Sequence, residues 1–109
     1  MADELLEMAR AHDPSLDLKY NKFYIGLATD GQPRNFFVTR PKKGFIRFEP
    51  RLKHSPETQE RLESAGLDVM DYDRRWGRYR IRLIAGDIEK SRDVIKEVIA
   101  EAFAQSGGS

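Results

Sequence analysis

From Arg78 to Leu83 the chain reads RYRIRL, with arginine and apolar side chains alternating residue by residue. A period of two is the strand period, and it assigns Tyr79, Ile81 and Leu83 to one face and Arg78, Arg80 and Arg82 to the other. The stretch therefore commits the chain to a sheet with an apolar face, which accounts for folding, and an arginine face, which is the strongest functional lead. Just before it, Arg74 and Arg75 add charge, Trp76 supplies a flat amphipathic ring, and Gly77 lets the backbone turn into the strand.

The other segments supply what such a strand needs as partners. Leu16, Leu18 and Tyr20 alternate with Asp17 and Lys19, and after Asn21-Lys22 a second strand is expected over Phe23 to Ala28. Its expected faces are Phe23, Ile25 and Leu27 on one side and Tyr24, Gly26 and Ala28 on the other. Asp30 to Pro33 reads as a turn, Asn35 to Thr39 as a third strand, Pro41 to Gly44 as a loop, and Phe45 to Glu49 as a fourth strand. Helices are expected at Asp3 to Ala11, at Pro56 to Ala65 behind a Ser55 cap and before a Gly66 stop, and after Gly86 with Asp87 as cap. In this last helix Ile88, Val94, Ile95, Val98, Ile99, Ala102 and Phe103 form an apolar stripe at helical spacing. The element order α-β-β-β-β-α-β-α predicts an α+β fold, a mostly antiparallel sheet of about five strands with helices packed on one face. The arginine strand and the last helix are expected at its centre.

With 109 residues there is room for one folded unit, expected over residues 1–104, followed by a flexible tail at 105–109 ending in GGS. Without cysteine there is neither a disulfide framework nor thiol chemistry, and two distant histidines, His12 and His54, do not make a histidine-rich metal site. No metal or other cofactor is expected. Asp68, Asp71 and Asp73 lack the glycine and distal glutamate of a calcium loop, and no phosphate-binding glycine motif is present. The apolar runs are too short for a membrane helix and the acidic start is unlike a targeting peptide, so a cytoplasmic, non-membrane location is expected.

Net charge is only +1, yet the basic residues are unevenly placed. Pro41 to His54 carries Lys42, Lys43, Arg47, Arg51 and Lys53 against Glu49 alone, and Arg74 to Arg82 holds five arginines without an acid. Placing the aliphatic residues inward leaves Tyr24, Phe37, Phe45, Arg47, Arg78, Arg80 and Arg82 on the opposite sheet face. Aromatics interleaved with arginines on an open sheet hold single strands, bases stacking on rings and phosphates meeting guanidiniums. Alternate strand residues lie about 6.6 Å apart and two nucleotides span about 6.8 Å, so successive phosphate contacts are geometrically permitted. The competing reading pairs the outward arginines with Asp17, Glu49 or helix carboxylates as a solvated charged face. Trp76 is expected to bury against the sheet edge and brace the arginine strand, its other role being to stack on a base.

The stretches LDLKYNKFYIGLATDG, NFFVTRPKKGFIRFEPRL, AGLDVMDYDRRWGRYRIRL and GDIEKSRDVIKEVIAEAF together resemble an uncharacterised bacterial domain. That domain occurs at the C-terminal ends of predicted restriction-endonuclease-like and "predicted transport" proteins. The resemblance implies an accessory module near DNA-processing machinery, with any nuclease chemistry in another domain. The expected function is thus non-catalytic nucleic-acid binding through Arg78, Arg80, Arg82, Arg47, Lys42 and Lys43, with Trp76, Tyr24 and Phe45 as stacking platforms. The alternative is a protein-interaction or homodimerisation domain whose same basic and aromatic face meets an acidic partner or a second copy.

Overall fold

The computed structural model describes residues 2–107, and Met1, Gly108 and Ser109 lie outside them. Four helices, α1 (Ala2–Arg10), α2 (Pro56–Ser64), α3 (Asp87–Lys90) and α4 (Arg92–Gln105), accompany seven strands. The strands are β1 (Leu16–Tyr20), β2 (Ile25–Thr29), β3 (Gln32–Pro33), β4 (Phe37–Lys42), β5 (Phe45–Pro50), β6 (Asp68–Val69) and β7 (Ile81–Leu83). They form one open antiparallel sheet in the order β1-β2-β4-β5-β7-β6, with the short β3 appended to β2. The fold is α+β, as the element pattern implies, with seven strands in place of about five.

The register sorts the side chains. Val38, Arg40 and Lys42 oppose Glu49, Arg47 and Phe45, and Arg47 opposes Arg82, so these residues share one face. Phe37, Phe48, Ile81 and Leu83 fall on the other. Every buried apolar helix residue, among them Leu5 of α1, Leu62 of α2, Ile88 of α3 and Ile95, Val98 and Ile99 of α4, joins one cluster with this second set. All four helices therefore bury against one side of the sheet, and the arginine side is left without a helical cover. At about 25 cal/mol per Å² of apolar area removed from water, that cluster is the main source of stability.

Local chemistry sets several boundaries. Ser55 caps α2 as its sequence implies, its Oγ accepting the Thr58 N–H at 3.1 Å. Tyr79, fully buried, anchors that cap to the sheet: its hydroxyl accepts the Ser55 N–H at 2.8 Å and donates to the Ser55 carbonyl at 3.1 Å. The C-terminal helix is broken at Ser91, which leaves helical geometry at φ −112° and donates its hydroxyl to the Ala65 carbonyl at the end of α2. Asp87 is not the expected cap. Gly86 takes the N-cap place at φ 93°, and the Asp87 carboxylate accepts the Ile84 N–H instead. Gln105 is the last residue of α4, and Ser106 and Gly107 form a turn, so only residues 108–109 of the expected tail fall outside the described part.

Three sequence expectations are corrected by the register. Phe37 is 1% exposed and faces the core, packing edge-on against Phe48 at 5.2 Å, because the strand is phased one residue away from the expected pattern. Phe23 leaves the sheet altogether and is exposed in the connection before β2. The arginine strand is next to last rather than central, the middle being β4 and β5. Strand β4 also runs through Pro41. Since the Arg51 N–H donates to the Phe36 carbonyl, the hydrogen-bonded pairs with β5 fall on even-numbered β4 residues, and Pro41 turns its missing donor away from β5. Pairing with β2 is confined to Ile25 and Thr39, so no neighbour needs that donor.

Among the described residues, no helix is long and apolar enough to cross a membrane. Two outcomes are expected from this packing. A Cβ on Gly26 would sit 2.5 Å from Asn35 Oδ1, which holds the Leu27 N–H at 2.7 Å, so Gly26→Ala should lower stability by roughly 1–3 kcal/mol in urea unfolding. Asp13, just after α1, accepts the Ser15 hydroxyl at 2.6 Å and the Ser15 N–H at 3.0 Å, and these bonds hold its carboxyl below the ordinary carboxylate range. A lowered folded pKa stabilises above the unfolded value and loses that contribution as pH falls through the folded one. Urea midpoints should accordingly decline as pH falls below the ordinary carboxylate range, about pH 4, and Asp13→Asn should flatten that decline.

Candidate functional site: an arginine-lined sheet face

The helix-free face is organised by an acid. Glu49 is 1% exposed, and its Oε2 accepts Arg47 Nε at 2.7 Å and Arg40 Nε at 2.8 Å, while Oε1 lies 3.7 Å from Arg78 Nη1. Arg40 and Arg47 are cross-strand partners in β4 and β5, and Arg78 comes from the bridge that prolongs β7 toward Arg51. Three strands thus deliver three guanidiniums to one carboxylate. A carboxylate taken out of water in this way is stable only when paired and hydrogen-bonded, which the two Nε donors provide. One negative charge against three positive ones fixes the arginines without neutralising them.

The remaining positions follow from the same register. On this face the paired strands carry eight basic side chains, Lys19, Arg40, Lys42, Arg47, Arg51, Arg78, Arg80 and Arg82, against the four acids Asp17, Glu49, Asp68 and Asp73. Arg82 is 3.7 Å from Asp68, a loose and exposed pair worth little. Arg80 Nε donates to the Asp71 carbonyl at 2.8 Å and keeps its charge uncompensated. Lys42 opposes Phe45 on the face, while Lys43 stands in the turn that follows β4. Both lysines are exposed.

Each aromatic residue of the face carries a guanidinium. Arg82 lies over Phe45 at 4.8 Å and Arg40 over Tyr24 at 5.5 Å. Trp76 is approached by Arg75 at 5.5 Å and Arg78 at 5.7 Å. Such contacts contribute about 0.5–1 kcal/mol at exposed sites and hold the planar groups in register. Trp76 is 55% exposed, so the expectation that it buries against the sheet edge is corrected. A tight turn presents it: Asp73 Oδ1 accepts the N–H groups of Arg75 and Trp76 at 3.1 and 3.2 Å, and Gly77 takes φ 67° to close the loop. Asp73 therefore shapes a turn and Asp68 faces Arg82, which accounts for two of the three clustered acids.

The expected arginines Arg47, Arg78, Arg80 and Arg82 lie on one face, but in different states. Arg78, with its side chain 15% exposed, is structural, whereas Arg82 and the Arg80 charge remain available to a partner. Arg40 and Arg51 were missed, whereas the pairing of Arg47 and Arg78 with Glu49 is what the competing reading of a self-paired arginine face expected. Arg40 was hidden because Pro41 reads as the start of a loop; the signal that would have found it is the alternation Val38, Arg40, Lys42 carried past the proline. His12 stacks on Phe103 at 5.3 Å and His54 on Tyr79 at 5.9 Å, so both rings serve packing.

Compared with protein-family models, curated proteins and solved structures, the chain matches none. The face makes a stability prediction of its own. Glu49→Gln removes the charge that three partly buried guanidiniums share and should cost about 3 kcal/mol in urea unfolding. Exposed Arg51→Ala should stay within about 0.5 kcal/mol of the parent.

Proposed function

We propose that this chain is a non-catalytic module that binds single-stranded nucleic acid across its arginine face. The observation that carries the reading is a sheet surface without a helical cover, on which basic groups outnumber acids and flat aromatic rings stand beside guanidiniums. Phosphates would meet Arg80, Arg82, Arg51 and Lys42, which stand clear of the Glu49 cluster, with Lys43 extending the basic rim. Bases would stack on Phe45, Tyr24 and Trp76. Arg47 and Arg78 act from behind, contributing positive potential while Glu49 holds their geometry.

The resemblance of Leu16 to Phe103 to bacterial accessory domains of restriction-endonuclease-like proteins supports placing the module beside DNA-processing machinery in the cytoplasm. Self-association through the same face is disfavoured, because it would bring two cationic surfaces together. An acidic protein partner shares the electrostatics but has no use for the stacking rings.

Binding of labelled oligonucleotides, followed by anisotropy at a series of salt concentrations, tests the reading. Affinity should fall steeply with salt, and the combined Arg51→Ala, Arg80→Ala and Arg82→Ala variant should reduce the slope of log K against log salt by about 2, at roughly 0.7 per lost contact on a single strand. Absence of binding at low salt, or an unchanged slope in the variant, would overturn it.

A further inference from the structure

At the end of the arginine face nearest Trp76, the chain borders an open cavity of about 500 Å³ where the turn before β7, the segment after β5 and the C-terminus of α4 meet. Its walls carry Arg51, Lys53, Arg75, Trp76, Tyr72 and Gln105, and among the described residues no carboxylate lines it. Arg51, Lys53 and Arg75 are exposed, and among the described residues none of them lies within ion-pair distance of an acid. Seven other arginines do have such a partner. Three like charges left together around one hollow attract an anion.

The rest of the wall suits the same ligand. Lys53 N–H donates to Gln105 Oε1 at 2.9 Å, which leaves the Gln105 amide nitrogen free to donate. The negative end of α4 is muted, since the carbonyls of Ala102, Phe103 and Ala104 accept the Ser106 and Gly107 N–H groups and the Ser106 hydroxyl. Tyr72 gives its hydroxyl proton to the Leu52 carbonyl, and burial pushes its pKa up, so it stays neutral. The hollow offers cations, donors and one exposed indole. A phosphodiester carries one negative charge, whereas a terminal phosphomonoester approaches two at neutral pH and answers three cations better.

We propose that this cavity receives the terminal phosphomonoester of a nucleic-acid strand, with the end base stacked on Trp76 and the phosphate held by Arg51, Lys53 and Arg75. Arg51 belongs both to the cavity and to the sheet face, so a strand lying on the arginines ends here. The proposal rests on the nucleic-acid reading of that face and adds the polarity and end-group chemistry of its ligand.

Trp76 is the sole tryptophan, so intrinsic emission reports on the cavity directly. The full chain is titrated with short oligothymidylates bearing a 5′-phosphate, a 3′-phosphate or hydroxyls at both ends, and with free thymidine monophosphate. One of the phosphorylated strands should bind about tenfold more tightly than the hydroxyl strand and quench Trp76 more deeply. The Lys53→Ala/Arg75→Ala variant should lose that preference and retain salt-dependent binding of the hydroxyl strand. Equal affinity and equal quenching for all three strands would overturn the cavity assignment while the sheet-face reading stands. Free thymidine monophosphate binding as tightly as the preferred strand would overturn the strand-end assignment in favour of a mononucleotide site. No binding of the hydroxyl strand at low salt would overturn the sheet-face reading, and the strand-end proposal with it.

Discussion

A single carboxylate, Glu49, sets the conditions under which this sheet can exist. It is buried on the side that no helix covers, and it remains there because Arg40 and Arg47 donate to one oxygen while Arg78 approaches the other. The cost of withdrawing the charge from water is met only if all three strands keep their register, since a one-residue slip would turn the guanidiniums to the apolar side. The ion cluster and the strand phasing therefore stabilise each other. Without the acid, three guanidiniums in neighbouring positions would repel one another across β4, β5 and the extension of β7.

The same phasing divides the sheet between two solvents. One side belongs to the helices, where Leu5, Leu62, Ile88, Ile95 and Val98 meet Phe37, Phe48, Ile81 and Leu83 in a continuous apolar cluster. The other meets water with arginines and a few rings, each ring holding a guanidinium near its face. The helices back the sheet from one side, and the other side is left to solvent. The arrangement grades the cations: Arg78 is mostly buried beside Glu49, Arg82 is loosely paired, and Arg51 stands open at the mouth of the cavity beside Trp76.

Much of this was readable along the chain where the cause is local. Ser55 followed by Pro56 starts a helix, the alternation after Gly77 makes two faces, and the apolar spacing after Gly86 makes a helix, each through neighbours a few residues away. Two of the failures share another cause: Phe37 and the break at Ser91 depend on partners far along the chain, Phe48 for the first and the Ala65 carbonyl for the second, whereas Trp76 is held out by a local turn that Asp73 builds three residues before it. Pro41 looked like an ending because a missing donor normally ends a strand, and it is harmless here only because β2 stops short of it.

The amino-acid order alone determined that this chain makes an α+β unit with one apolar and one cationic strand face, because hydrophobic periodicity acts on each segment independently. Which arginines are consumed internally and which are left for a partner was decided only when the strands were brought together. A charge is neutralised by whatever lies within about 4 Å of it in space, and register across the sheet, not distance along the chain, puts Arg40, Arg47 and Arg78 around Glu49 while leaving Arg51, Lys53 and Arg75 facing an open hollow.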